Sequence, residues 1–193
     1  MEKKDEDLML DYIQGDTEAL TTIFHRYKKP LLNYALRILG NRADAEDVLS
    51  EVFMVIFSKK YQYNPNAKFS TWAYTVTRNM CISRLRQKKN ILSLWFRNEE
   101  TDEMEPWEIA DSKDLPPEDL QRAETIQHIR NAIQKLPLPQ REALVLREYQ
   151  HLNYEEISKI LHCSLENVKI LIFRARQNLS KTIPSFIKEE NHG

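Results

Sequence analysis

The sequence predicts an all-α protein made of two small helical domains joined by an acidic, flexible linker. Three observations lead there. Glycine is scarce, three residues in 193, while Leu, Ile, Glu, Lys and Arg abound, a composition that favours helices. Apolar residues recur at three- and four-residue spacing on both sides of a central break, the mark of helices with one buried face. The break itself, residues 98–119, reads NEETDEMEPWEIADSKDLPPED: ten Asp or Glu against one Lys, with Pro106 and Pro116-Pro117. Such a stretch cannot bury much apolar surface and reads as a linker of low order. It leaves one domain over residues 1–97 and another over 120–185.

In the first domain, DEDLMLDYIQG reads as a short amphipathic helix stopped by Gly15. The next helix carries Leu20, Phe24 and Tyr27 on one stripe. Pro30 is expected to kink or interrupt it, since proline has no N–H to donate. Leu31, Tyr34, Ala35, Ile38 and Leu39 continue the stripe, and Gly40-Asn41 closes it. RADAEDVLSEVFMVIFSKK is a third helix. Asp44, Glu46 and Asp47 fall in its first turns, where the helix dipole favours acids, and Val48, Val52, Val55 and Ile56 form its apolar face. After the loop YQYNPNAK, Ser70 is expected to cap a helix starting at Thr71. In the second domain a helix over 118–136 is broken by Pro137-Leu138-Pro139, and another spans 139–149. Asn153 with Glu156 three residues on forms a capping-box pattern ahead of YEEISKIL. His162-Cys163-Ser164 is the turn, and Ser164 caps the last helix, LENVKILIFRARQNLSKTI.

Composition narrows the function classes. The chain is 41% hydrophobic and 30% charged with a net charge of −1. A neutral total argues only weakly against a nucleic-acid partner, because the distribution of charge matters more. Cys81 and Cys163 stand alone, with no spacing that would hold zinc. Isolated cysteines fit a reducing compartment. MEKKDEDLMLDY lacks the apolar run of a signal peptide, and no apolar stretch approaches the ~18 residues of a membrane span. A cytoplasmic protein with no membrane insertion, no metal and no cofactor is expected. There is no glycine-rich phosphate loop, no H-E-x-x-H and no nucleophile elbow, so no catalytic residue is assigned and an enzyme is not expected.

Two constellations carry the functional reading. A short helix, a tight turn and a longer helix at the C-terminal end make a helix-turn-helix pattern. Ile157, Ile160, Leu161, Val168 and Ile172 can fill the wedge between its helices, while Asn167, Lys169, Arg174, Arg176 and Gln177 remain as polar positions. A recognition helix needs such a division; a helical hairpin with a solvated basic face is the other reading. The second constellation is KFSTWAYTVTRNMCISRLRQKKN, residues 68–90. Trp72, Val76 and Met80 recur every four residues and are expected to face the core, with Tyr74, Arg78 and Ile82 on another face. Arg78, Arg84, Arg86, Lys88 and Lys89 accumulate toward the C-terminal end. They suit either the helix dipole or a nucleic acid with unpaired bases nearby.

Both constellations, in this order around an acidic linker, resemble a bacterial sigma factor of the extracytoplasmic-function (ECF) group, the minimal form of the sigma-70 family. YALRILGNRADAEDVLSEVFMVIF resembles the family's polymerase-binding segment and KFSTWAYTVTRNMCISRLRQKK its promoter-melting segment. LPLPQREALVLREYQHLNYEEISKILHCSLENVKILIFRARQNL resembles its fourth conserved region. The resemblance implies a sigma-2 helical bundle and a sigma-4 helix-turn-helix, with core RNA polymerase (its β′ clamp and β flap) and promoter DNA as partners and an anti-sigma factor as a further one. It assigns Asp44, Asp47, Glu51 and Phe53 to core polymerase. It assigns Arg78, Asn79, Ser83, Arg84, Arg86, Lys88 and Lys89 to the −10 element, with a flipped base held at a loop beginning at Asn79. It assigns Ser164, Asn167, Lys169, Phe173, Arg174 and Arg176 to the −35 element. Three departures from the family pattern stand out. Ser50 replaces a frequent Gln, His162 sits in the turn where glycine is common, and Ile170 and Leu171 follow Lys169 where polar residues are usual. Either the recognition helix docks slightly rotated, or readout leans on Lys169, Phe173 and Arg174, or the apolar patch meets a protein. The rival reading is a helix-turn-helix regulator with an N-terminal helical partner-binding domain, which would have no need of the DAEDVLSEVF surface.

Overall fold

The computed structural model describes residues 3–95 and 117–182. Among these it contains eight α-helices: α1 (Asp5–Ile13), α2 (Thr17–Leu39), α3 (Arg42–Ser58), α4 (Phe69–Trp95), α5 (Pro117–Gln134), α6 (Leu138–Glu148), α7 (Tyr154–Leu161) and α8 (Leu165–Thr182). A single 3-10 turn, Lys60–Gln62, follows α3. The all-α expectation is met. Of the expected linker, residues 98–116 lie outside the described residues, as do 96–97 and 183–185 of the expected domains; 117–119 open α5. Among the described residues no helix is long and apolar enough to cross a membrane.

Local chemistry places the helix ends. Asp16 caps α2 by accepting from the Glu18 and Ala19 N–H groups, and Asn41 caps α3 by accepting from Asp44 N–H. Helix α2 runs through Pro30 without a break. Tyr27, Leu31 and Tyr34 are buried on both sides of the proline, so core packing holds together what the missing N–H weakens. Gly40 ends α2 with φ 72°, a left-handed turn that glycine adopts without cost. Helix α4 starts at Phe69, earlier than expected, because Glu6 of α1 accepts from Phe69 N–H at 2.9 Å and does the capping assigned to Ser70.

Four helices, α1 to α4, bury Met9, Ile23, Leu31, Ile38, Val48, Val52 and Ile56 between them. The inward face of α4 is Phe69, Ala73, Thr77 and Cys81. It is one residue out of phase with the expected stripe, and Trp72, Val76 and Met80 pack at its edge. Small residues at 73, 77 and 81 let α4 approach closely, and the Thr77 hydroxyl is satisfied by Ala73 O at 2.8 Å. Trp72 joins an aromatic cluster with Tyr63 and Phe69.

The C-terminal helices form the helix-turn-helix as expected. Asn153 and Glu156 close the capping box at α7. His162 takes the left-handed conformation, φ 54°, a position that short polar side chains tolerate. The Ser158 hydroxyl donates to Cys163 O across the turn at 2.6 Å. Ile157, Ile160, Val168 and Ile172 are buried between α7 and α8.

The two halves share one apolar core. Helix α7 packs on α4, and α5 and α6 pack on α2. The carbonyls left over at the end of α2 are capped from the other half: Gln134 donates to Arg37 O at 2.7 Å and Arg141 to Ile38 O at 2.8 Å. A side chain at residue 40 would press on Gln134, whose amide oxygen lies 3.0 Å from the place of a Cβ.

Candidate nucleic-acid interface

Helix α8 turns Val168, Ile172 and Ala175 inward. The opposite face presents Asn167, Lys169, Ile170, Phe173, Arg174, Arg176 and Gln177 to solvent. The division is the one a recognition helix requires. Its centre is apolar: Phe173 is 61% exposed and Ile170 46%, while Leu171 tucks partly against the core. Ser164 accepts from Asn167 N–H at 3.2 Å and serves as the cap. Arg176 is anchored 2.5 Å from Glu148 of α6, a hydrogen bond that raises its pKa. Lys169 and Arg174 flank the apolar patch as exposed cations.

The basic end of α4 is built differently from the expectation. Helix α4 is continuous from Phe69 to Trp95, so Asn79 sits within it and no loop begins there. Asn79, Ser83 and Arg86 line one exposed face at successive turns, and Lys88 and Lys89 are exposed beyond them. Arg84 instead points at α3, where it meets Glu51 at 2.8 Å and Asp47 at 3.6 Å. Lys88 is bonded to Asp44. Three acids expected to face the polymerase clamp thus hold two cations expected to face DNA. Pairing rises along α3 as it falls along α4, as antiparallel neighbours must. Phe53 is not on this surface at all. It is 3% exposed and packs against Phe24 and Phe57 in the core. The apolar side chain that stands beside the acids is Met54, 59% exposed.

Arg78 faces the other half of the chain. Its Nε lies 2.9 Å from Glu142 Oε1 without the alignment of a hydrogen bond, and its Nη2 donates to Oε2 at 3.3 Å. The side chains are 18% and 3% exposed. Burial raises the Glu142 carboxyl pKa, against the pull of Arg78 and Arg141. Beside this pair the Tyr74 hydroxyl donates to Gln150 Oε1 at 2.6 Å, and Lys68 meets Glu156 at 2.6 Å. Burial pushes the neighbouring Cys81 thiol up to about 12, with the Glu142 charge adding to it, so it stays protonated and packs as an apolar group. Sequence alone does not single out Glu142, Gln150 or Lys68, each of which looks there like an ordinary surface polar residue, and it marks Glu156 only as part of a capping box.

Comparison with known proteins gives these surfaces a context. The family model described as sigma-70 region 2 matches residues 23–91, and that described as sigma-70, region 4 matches residues 126–179. The ECF RNA polymerase sigma factor SigW of Bacillus subtilis (strain 168) is 32% identical over 174 residues, 88% of this chain and 91% of its own length. The RNA polymerase sigma-H factor of Pseudomonas aeruginosa is 26% identical over 195 residues, 97% of this chain and 98% of its own. Among solved structures, the sigma factor RpoE in complex with the anti-sigma factor NepR from Bartonella quintana has a TM-score of 0.66 at 20% identity, covering 84% of this chain and 95% of that one. CnrH in complex with the cytosolic domain of CnrY has a TM-score of 0.67 at 20% identity, covering 92% and 95%.

Proposed function

The chain belongs to the sigma-70 family as an ECF sigma factor, and we propose that its named surfaces divide between them the work of binding core RNA polymerase and recognising a promoter. Its function is to direct promoter-specific initiation of transcription in association with core polymerase. Residue by residue, the reading rests on geometry and chemistry. The acidic face of α3, with Asp44, Asp47, Glu51 and the exposed Met54, meets the polymerase clamp; Phe53 supports that helix from inside. The β flap takes the C-terminal half. Helix α8 enters the major groove at the −35 element with Lys169 and Arg174 as the donors to bases or phosphates, Asn167 beside them and Phe173 against a thymine methyl or sugar. Arg176, tied to Glu148, contributes a phosphate contact at the edge, and Ser164 positions the helix start.

At the −10 element, the row Asn79, Ser83 and Arg86 faces the separated strand, with Arg84, Lys88 and Lys89 attracting its phosphates. Arg78 joins that row once it is free of Glu142. Asn79 can both donate and accept, which an unpaired base edge requires. RNA synthesis is left to the polymerase, and no residue of this chain is given a catalytic role. The proposed domains are residues 1–97 and 120–185, with the acidic segment 98–119 as the connector, of which 117–119 lie in α5. An anti-sigma factor is a further partner on this reading, because RpoE, which shares the fold, is held by one.

The observation that carries the reading is the exposed cation-flanked face of α8 standing in one chain with the acidic face of α3. One face suits DNA, the other a cationic protein surface. The deciding experiment is transcription in vitro with core polymerase on a fragmented genomic template. Discrete start sites that depend on the chain, with little band shift by the chain alone, are expected. A strong, sequence-specific shift without polymerase would replace this reading with a helix-turn-helix regulator.

A further inference from the structure

The last turns of α2, the C-terminal half of α5 and Tyr149 after α6 enclose a cleft of about 360 Å³. Ligand sites occupy about 300–1,000 Å³, so this one is small but within the range. Leu36, Ile126, Ile129 and Ile133 form its apolar wall. Ile133 is 3% exposed and Ile126 41%, so the wall runs from the core out to solvent. Two guanidiniums, Arg37 and Arg130, line the same cleft, and its lining includes no carboxylate. Arg37 is held in place: its guanidinium lies 3.9 Å over the Tyr149 ring, and its Nη1 donates to Asn33 O at 3.1 Å. A stacked guanidinium keeps further N–H donors in its plane. Arg130 is partly buried, and that burial, with the nearby charge of Arg37, lowers its pKa. Gln134 also lines the cleft, but its amide already bonds Arg37 O and Arg141. Two like charges brought together beside apolar groups repel, and an anion between them relieves both.

We propose that this cleft binds a small amphipathic anion, an acyl carboxylate, with its chain along Leu36, Ile129 and Ile133 and its carboxylate between Arg37 and Arg130. Guanidinium donors match a carboxylate in pairs, and the apolar wall takes a chain that has no polar groups of its own. Ile126 and Tyr149, 41% and 36% exposed, mark the open side by which it enters. A cleft this small has room for one short chain, not for the paired chains of a phospholipid. None of these residues is assigned to polymerase or promoter, so the site adds a small-molecule ligand to a chain whose other proposed surfaces face macromolecules.

The test is an NMR titration of the full-length chain, labelled at its isoleucine methyls, with octanoate as the probe and octan-1-ol as its uncharged match. Octanoate should shift the methyls of Ile126, Ile129 and Ile133 saturably and leave in place those of Ile157 and Ile172, buried between α7 and α8. Octan-1-ol should bind about tenfold or more weakly, because it lacks the charge-assisted pair. Arg130→Gln should weaken octanoate about tenfold and leave octan-1-ol unchanged, and Arg37→Gln should do the same. Arg37 also packs on Tyr149, so circular dichroism checks its variant, and where that variant is unfolded Arg130→Gln decides alone. Ile129→Trp, which fills the cleft, should abolish binding of both probes. No saturable shift up to about 1 mM octanoate, the weak end of specific binding, would overturn the proposal. So would shifts spread over all the isoleucines, equal affinity for the two probes, or octanoate binding undiminished in Arg130→Gln.

Discussion

Arg141→Met is expected to lower the unfolding free energy by about 2–4 kcal/mol. Arg141 is 8% exposed, and its guanidinium makes four hydrogen bonds: Nη1 to Ile38 O at 2.8 Å and Gln134 Oε1 at 2.7 Å, Nη2 to Leu136 O at 3.2 Å and to Gln134 O. Three of these acceptors are backbone carbonyls, at the ends of α2 and α5, with no helical partner of their own. Methionine fills similar space and donates nothing. Each buried acceptor left unmade costs about 1–3 kcal/mol, so three set a gross loss near 3–9 kcal/mol. Against this stands the recovered cost of burying the guanidinium, several kcal/mol. That cost is visible as a pKa lowered by burial and only partly restored by Glu142. The difference leaves the stated 2–4 kcal/mol. Urea unfolding of the full chain followed by circular dichroism measures it. A loss below about 0.5 kcal/mol, the range of an ordinary surface change, would refute the view that Arg141 caps both helices. Arg141→Lys should fall between, because a point charge can serve one or two carbonyls but not a fork of four.

Other surfaces give further tests. Asp47→Arg with Glu51→Arg should abolish co-purification with core polymerase while the chain stays helical, a loss of ~2–5 kcal/mol for interface pairs once desolvated; unchanged co-purification rejects this face of α3. Arg174→Ala should weaken −35 binding by ~1–3 kcal/mol if it reads a base, or lower the salt slope by about one if it holds a phosphate, as a salt titration of the holoenzyme on promoter DNA will show. Asn79→Ala should spare closed-complex formation and slow strand opening, with relaxed base preference at one −10 position, read by permanganate footprinting on matched and pre-melted promoters.

The helices and the helix-turn-helix are legible because their signals are local. Asp16, Asn41 and Asn153 cap the helices that start beside them, Gly40 and His162 stop the helices that end at them, and Ile157, Ile160, Val168 and Ile172 keep helical spacing. The differences between expectation and structure are all tertiary. The start of α4 is fixed by Glu6, which lies 63 positions away in sequence. The phase of its buried face is hard to read because Ala73 and Thr77 carry little hydrophobic signal beside Trp72, although small residues are what close packing needs. Phe53 is placed at the surface by the resemblance, yet its ring packs in the core against Phe24 and Phe57. Glu142 lies in QREALVL, where nothing local distinguishes a buried acid from a solvated one.

The net charge of −1 also finds its meaning in these pairings. The basic end of α4 could attract any polyanion, yet Arg84 and Lys88 lie against Asp47, Glu51 and Asp44, Arg78 against Glu142, and Arg176 against Glu148. Four cations on the proposed DNA surfaces are thus screened by the chain's own carboxylates. The α3–α4 pairs are partly exposed and each is worth only about 0–1 kcal/mol, so they do not hold the fold together. They set a threshold instead. A cationic polymerase surface that engages Asp44, Asp47 and Glu51 competes with Arg84 and Lys88 for the same carboxylates, and each cation it releases is available to a phosphate. On the proposed assignment, core binding on α3 and DNA binding on α4 would be linked through shared acids one helix apart. A chain so arranged would gain affinity for promoters by joining the polymerase rather than by adding positive charge of its own.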